Sequence, residues 1–230
     1  MFVIGKNYER FNSGSMRLTI QKSSTISIFI LWLFYGSAII GIALGYLSWF
    51  LPFTPYTLLL CLLLIVWNTK AITRRDVAFL FIPICIGTLA EIIGVRYTFL
   101  FGSYQYGANL GWKFLDIPWV IGVNWLLLVY ASSGIGKFLF SNRIISIVFS
   151  SFLMVGLDYW MEKAAPLLDY WSFHSETVPL QNYIGWFLVS LLAHSCFQPF
   201  FNKESVTLSI HLLIAIFVFF FSSIYLLLPS

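Results

Sequence analysis

Glu91, Asp116, Asp158 and Glu162 are carboxyl groups in or beside long apolar stretches of this chain, where an acid is expensive to keep. Asp158 and Glu162 are spaced i and i+4, which puts both on one face of a helix. Desolvation that leaves one carboxyl neutral beside an ionised one creates a general acid and a general base side by side. Such a set can protonate a very weak base and then take a proton back from water. The plainer alternative is structural: Glu91 balanced by Arg96, and Asp158 with Glu162 balanced by Lys163 at a membrane interface.

Other residues fit the same chemistry. The amides of Asn124 and Asn182 can position a water molecule. Tyr104, Tyr106, Trp171 and Trp186 belong to two aromatic-rich segments that can grip an extended apolar molecule and stabilise a cation on their ring faces. The same residue types also form interfacial belts, and the two readings are compatible. His174 falls in a loop. His194, Gln198 and His211 read as interhelical hydrogen-bonding groups away from the acids. Cys61, Cys85 and Cys196 sit in apolar segments without CxxC spacing and read as small buried side chains. Nothing in the pattern calls for a metal or another cofactor.

The elements that must hold these groups are transmembrane helices. Of 230 residues, 60% are hydrophobic and 10% charged, whereas a soluble domain carries about 25% charged residues. The apolar runs are continuous rather than alternating, which argues against a β-barrel. The expected architecture is an all-α, polytopic helical bundle in a single membrane domain, residues 1–230, with about seven spans at 26–50, 54–69, 76–94, 117–139, 143–162, 181–200 and 205–228. The first run is too long for a signal-peptide core and reads as a retained helix.

With the N-terminus in the cytoplasm, Lys6, Arg10, Arg17, Lys22, Lys70, Arg74, Arg75, Lys137, Arg143 and Lys203 fall on the cytoplasmic side. Arg96, Lys113 and Lys163 fall on the other, and these two sets account for all 13 Lys and Arg. The bias follows the positive-inside rule and implies a multi-pass protein of the cell (inner or plasma) membrane, with the C-terminus on the opposite side. The four acids and both long connections, 95–116 and 163–180, then lie near the non-cytoplasmic face. The scattered basic residues give no footprint for nucleic acid.

Within 85–190 the chain resembles the CruF-type carotenoid hydratases. The resemblance rests on Glu91-Ile-Ile-Gly94-Val95, Phe101-Gly102-Ser-Tyr104-Gln-Tyr106, Ile117-Pro118-Trp-Val-Ile-Gly122-Val-Asn124-Trp125, Asp158-Tyr-Trp-Met-Glu162, Leu168-Asp169-Tyr170-Trp171 and Val178-Pro179-Leu180-Gln181-Asn182-Tyr183-Ile-Gly-Trp186. The chain departs from the family at Tyr97-Thr98-Phe99-Leu100, where Thr-Gly-x-Pro is usual, and at Lys163, where a proline often follows the acid.

The resemblance implies addition of water across the terminal carbon–carbon double bond of an acyclic carotenoid end group, lycopene- or γ-carotene-like. That would be a cofactor-independent hydro-lyase acting on a substrate dissolved in the membrane lipids, in association with other carotenoid enzymes. On this reading Asp158 is the acid and Glu91 the water-orienting base, with those roles interchangeable. Glu162, Asp116, Asn124 and Asn182 support them, and Tyr104, Tyr106, Trp171 and Trp186 line the pocket. A cyclase or isomerase would share the proton-first step. A carotenoid-binding or transport protein would need no chemistry. A prenyltransferase would need a second acidic cluster for Mg²⁺ and diphosphate, which the chain does not offer.

Overall fold

The computed structural model describes residues 4–69 and 71–228, with side chains from residue 24 onward. The side chains of Lys6, Arg10, Arg17, Lys22 and Lys70, half of the expected cytoplasmic cations, lie outside what is described. Among the described residues there are seven long helices and one short one: α1 (Ile4–Ala43), α2 (Leu47–Phe50), α3 (Thr54–Asn68), α4 (Arg74–Tyr97), α5 (Ile121–Leu139), α6 (Arg143–Ala164), α7 (Leu180–Phe197) and α8 (Val206–Leu227). Two two-stranded ribbons interrupt the helices. One pairs β1 (Tyr104–Tyr106) with β4 (Trp171–Phe173), and the other pairs β2 (Lys113–Phe114) with β3 (Ile117–Pro118), both antiparallel.

Local sequence explains the boundaries. Thr73 and Asp76 form a reciprocal capping box at the start of α4. Asn142 caps α6 by accepting from the amides of Ile144 and Ile145, and Ser205 caps α8 through Leu208. The first expected span, 26–50, ends early. α1 stops at Ala43, Gly45 takes a positive φ of 85°, and Leu47–Phe50 turn back to join α3. The span expected from 117 begins as a helix only at Ile121, because Ile117–Pro118 pair with Lys113–Phe114.

Among the described residues, five segments are long and apolar enough to cross a membrane: Ser24–Ala43, Leu47–Asn68, Arg74–Tyr97, Arg143–Ala164 and Val206–Leu227. Their outward faces carry large exposed apolar side chains such as Phe29, Leu33, Leu63, Phe81, Phe152 and Tyr225. In water such a surface would aggregate; in lipid it is the expected exterior. This is an all-α helical bundle of a membrane protein.

The other two long helices carry polar side chains in mid-helix for a visible reason. α5 is the centre of the bundle, packed against α3, α4, α6, α7 and α8, and nearly every residue from Ile121 to Gly134 is buried. Shielded from lipid by its neighbours, it can carry Asn124, Ser132 and Ser133. α7 shows lipid only a stripe of Leu180, Ile184, Leu188 and Leu192 at four-residue spacing, while Asn182, Ser190 and His194 face inward.

Side-chain bonds fix an up-and-down arrangement. At one end, Glu91 late in α4 meets Trp125 early in α5, Asp158 late in α6 meets Asn182 early in α7, and Thr54 at the start of α3 bonds Tyr170 after α6. At the other end, Asn68 closing α3 bonds Ser27 of α1, Lys203 before α8 pairs with Asp76 opening α4, and Lys137 late in α5 pairs with Glu204. The acid-bearing end and the end holding Arg74, Arg75, Lys137, Arg143 and Lys203 are therefore opposite.

Candidate active site

The β1–β4 ribbon lies across the acid-bearing end. Its register sets Tyr104 opposite Phe173 and Tyr106 opposite Trp171. Strand alternation points Tyr104, Tyr106 and Trp171 into the protein while Gln105 faces out. The ribbon is thus a carrier of inward hydrogen-bond donors. It is anchored beyond the strands by Gly107 N–H donating to the Tyr170 carbonyl at 2.8 Å and His174 N–H to the Ser103 carbonyl at 3.0 Å.

Glu91 is buried and accepts three hydrogen bonds. The Tyr104 and Tyr106 hydroxyls donate to Oε2 at 2.5 and 2.7 Å, and the Trp125 indole N–H donates to Oε1 at 3.0 Å. Burial pushes both phenols well above the usual tyrosine value, and the neighbouring Glu91 carboxylate adds to the shift. Both tyrosines therefore stay O–H donors. Trp125 is held by stacking on Trp186, ring centroids 4.5 Å apart. Its closeness to α4 depends on Gly87, where a Cβ would fall 2.1 Å from the indole Cγ.

Asp158 and Glu162 are buried on the inner face of α6. The Asn182 amide bridges them, donating to Asp158 Oδ2 at 2.8 Å and Glu162 Oε1 at 3.2 Å. The Trp171 indole donates to Glu162 Oε2 at 2.9 Å. Asp158 Oδ1 is fully buried and has no hydrogen-bond partner among the described residues. Neither structural pairing exists. Arg96 is exposed, and Lys163 lies over the rings of Tyr159 and Trp160, 4.3 and 5.3 Å from their centroids. Among the described residues the ion pairs are Lys137–Glu204 and Lys203–Asp76, both at the far end. Three acids thus share a buried site with neutral donors and no cation.

Two cavities lie side by side here. A chamber of about 20 Å³ is lined by Glu91, Glu162, Asn124 and Asn182, with Tyr104, Tyr106, Trp125, Trp171 and Trp186 among its walls. That is room for about one water molecule. A second, apolar cavity of about 430 Å³ lies between α1, α2, α3 and α8. Ile121, Asn124 and Trp171 line both. Asp158 lines neither and stands behind Glu162. No group of three or more His, Cys, Asp and Glu among the described residues is arranged to hold a metal ion.

A family model described as "Carotenoid biosynthesis protein" matches residues 53–228. The chain belongs to the carotenoid biosynthesis protein family. It is also 29% identical over 124 residues to a bisanhydrobacterioruberin hydratase of Haloarcula japonica. That match covers 50% of this chain and 42% of the relative, so the chain spans under half of that protein's length. No solved structure matches it. In this member of the carotenoid biosynthesis family the whole acid chamber, from Glu91 to Trp186, falls inside the family match.

The structure brings together nine of the ten residues singled out from sequence: Glu91, Asp158, Glu162, Asn124, Asn182, Tyr104, Tyr106, Trp171 and Trp186. Asp116 is elsewhere. It is exposed at the tip of the β2–β3 hairpin, where Leu115 and Asp116 both take positive φ, 53° and 67°. Two consecutive left-handed residues make the tight turn of a two-residue hairpin, so Asp116 serves the backbone there rather than the acids.

Trp125, the third donor to Glu91, was not anticipated, since a tryptophan within an apolar helix reads as packing. Its position directly after Asn124 was the available signal. The histidines stand apart. His174 is exposed beside the Ser103 hydroxyl, 3.0 Å away. His194 bonds Ser132, and His211 accepts from the Trp32 indole.

Proposed function

We propose that this protein is a carotenoid hydratase that adds water across the terminal C=C of an acyclic end group by proton-first catalysis. Hydrating a trisubstituted alkene needs a neutral acid, a base, one water and walls that tolerate a tertiary cation. The observation that carries the reading is a chamber the size of one water, flanked by Glu91 and Glu162 and sharing the wall residues Ile121, Asn124 and Trp171 with an apolar cavity. It favours hydration over cyclisation, because a cyclase must keep water away from the same cation.

The three acids divide the work by their donors. Glu91 accepts three hydrogen bonds and Glu162 two, so of the three acids these two are the better placed to carry charge. Asp158 accepts one and has an unpartnered oxygen, which suits it to hold the proton. In the proposed step Asp158 passes its proton through Glu162, the member of the pair that faces the chamber. The new C–H bond forms at the less substituted alkene carbon as the Glu162 O–H bond breaks. The π pair is consumed and a tertiary cation remains, against the faces of Trp125, Trp171 and Trp186. Water held by Asn124 and Glu91 attacks the cation, and Glu91 takes the surplus proton. Return of that proton to the α6 pair through the next water completes a net addition of H₂O.

In the cell, we place the protein in the inner or plasma membrane with seven spans, its N-terminus cytoplasmic and the chamber toward the opposite face, as the Lys/Arg bias suggests. Its substrate and product stay in the bilayer, so the enzymes before and after it share that membrane.

Expression in a host that accumulates lycopene, followed by mass analysis of the pigments, tests the reading. The expected product is heavier than substrate by one or two waters, and Asp158→Asn and Glu91→Gln abolish it. An isomeric product of unchanged mass points to cyclisation. Full hydration by both variants removes these acids from the mechanism.

A further inference from the structure

Resting on the hydratase reading, we infer that the 430 Å³ cavity is the seat of an elongated, flat, unsaturated hydrocarbon, entered sideways from the lipid, and that residues 34–51 choose which hydrocarbon fits.

The cavity's outer wall is built from Phe34, Tyr35, Ala38 and Ile42 of α1 with Trp49 and Phe50 of α2. Trp49, Phe53 and Tyr56 stand at its lipid side, 61%, 48% and 66% exposed. They form a continuous set of ring contacts, with centroids 5.1 Å apart for Trp49–Phe53 and 6.3 Å for Phe53–Tyr56. Inside, Tyr35 meets Phe219, Phe220 meets Tyr170, Tyr170 stacks on Trp171, and Trp171 meets Tyr106 of the chamber. Aromatic faces thus line the route from lipid to the acids.

The few polar groups along that route are already engaged. The Thr54 and Tyr170 hydroxyls bond each other at 2.7 Å. Thr57 donates to the Phe53 carbonyl and Ser37 to that of Phe34. The Tyr35 hydroxyl lies beside the Cys61 thiol. The exceptions are Trp49 and Tyr56 at the lipid-side mouth and Asn124 at the innermost point, whose amide makes no bond to the described residues. Between that mouth and Asn124 a ligand of this cavity must therefore be hydrocarbon, and at the inner end it is offered the Asn124 amide. That end abuts Glu91 and Glu162. The volume is within the range of small-molecule sites, about 300–1,000 Å³. With its flank open to lipid, the cavity takes one end of a long molecule while the remainder stays in the bilayer.

The wall has a different sequence status from the chamber. The family match begins at residue 53, so Phe34, Tyr35, Ala38, Ile42, Trp49 and Phe50 lie outside it. Chemistry and selection are thereby separated along the chain.

The test uses full-length protein with Ala38→Trp and Leu58→Trp, two changes that fill the cavity and leave every chamber residue in place. Two quantities are read: retention of lycopene by purified protein, and hydration of lycopene against that of a short acyclic terpene carrying the same end group. Both variants should lose lycopene binding and turnover by roughly a hundredfold and lose less of the turnover of the short alkene, which needs less of the cavity; an unchanged thermal unfolding midpoint shows that they fold. Wild-type lycopene binding and turnover in both variants overturns the assignment. So does a wild-type protein that retains membrane phospholipid and takes up no lycopene. Wild-type protein that binds lycopene, loses it on Ala38→Trp and never hydrates it keeps the cavity assignment and sinks the hydratase reading instead.

Discussion

The two ends of the bundle bury acids in opposite ways. At the basic end, Glu204 is paired with Lys137 at 2.8 Å and Asp76 with Lys203 at 2.6 Å. Between the ends, α5, α6 and α7 are joined by an uncharged network. Ser132 meets His194 at 3.1 Å, Gln198 contacts His194, Ser146 and Ser150, and Ser150 donates to the Ser132 carbonyl. At the other end, Glu91, Asp158 and Glu162 receive hydrogen bonds from tyrosine, tryptophan and asparagine and have no cation. A paired acid is content as a structural element. Three acids gathered without a counter-charge are costly to hold in a low-dielectric site, and a fold keeps such an arrangement where protons must move.

The sharpest test sets Glu91→Gln against Glu204→Gln. Removing a general base typically costs about a hundredfold to ten-thousandfold in rate. Glu91→Gln should therefore lose hydration on that scale with little loss of folded protein. Glu204→Gln leaves Lys137 beside the carbonyl of Phe201 and the side chain of Asn202. It should lower thermal stability and change specific activity by no more than about twofold. Pigment mass analysis with a thermal-shift measurement on purified protein reads both. Equal activity losses in the two variants would dissolve the contrast.

A smaller effect is expected one step out from the acid. Tyr104→Phe and Tyr106→Phe each delete one donor to Glu91 Oε2 and retain the ring packing. A hydrogen bond to a charged group is worth about 1.5–3 kcal/mol, so each change should slow turnover by roughly tenfold to a hundredfold. The double variant should cost less than the product of the two, because both donors serve one oxygen. Strict additivity in the kinetics would mean that the two phenols act on separate steps.

Much of this site was legible because spacing on a helix survives folding. Asp158 and Glu162 share a face by their four-residue separation, and alternation of the helices brings the end of α4 to the end of α6. Tyr104, Tyr106 and Trp171 could be grouped by composition, but their roles could not. The β1–β4 pairing that aims them at Glu91 and Glu162 joins strands more than sixty residues apart, and no local pattern records that register. The apolar cavity was hidden for a similar reason. Its walls come from α1, α2, α3 and α8, where each residue alone reads as ordinary lipid-facing or core packing. The early end of α1 turns on Gly45, whose left-handed conformation an apolar run does not reveal. Asp116 misled because an acid at the start of a span looks like an acid at a site.

The uncharged network should respond more weakly still. Interhelical hydrogen bonds within membranes average about 0.6 kcal/mol and reach about 1.7. Ser132→Ala should therefore lower stability by about 1 kcal/mol or less and leave turnover unchanged. An activity loss beyond about tenfold, with stability intact, would connect this network to the proton path and erase the difference between the ends.

Asp116 gives the smallest effect on turnover and the most discriminating pair of variants, because its charge and its backbone make separate predictions. If the carboxylate mattered to the acids, Asp116→Asn would slow turnover. The hairpin geometry says otherwise: asparagine tolerates the left-handed conformation as well as aspartate does, so Asp116→Asn should be silent in both activity and stability. Asp116→Val keeps no charge either, but forces a β-branched residue to a φ of 67°. It should cost about 1–2 kcal/mol in stability, read as a lower midpoint in thermal unfolding. Turnover of the folded fraction should remain, because the hairpin reaches the chamber through the start of α5 and through Lys113, which donates to the Tyr106 carbonyl at 2.6 Å, and neither link uses the Asp116 side chain. An activity loss in Asp116→Asn equal to that in Asp116→Val would return this acid to the chemistry.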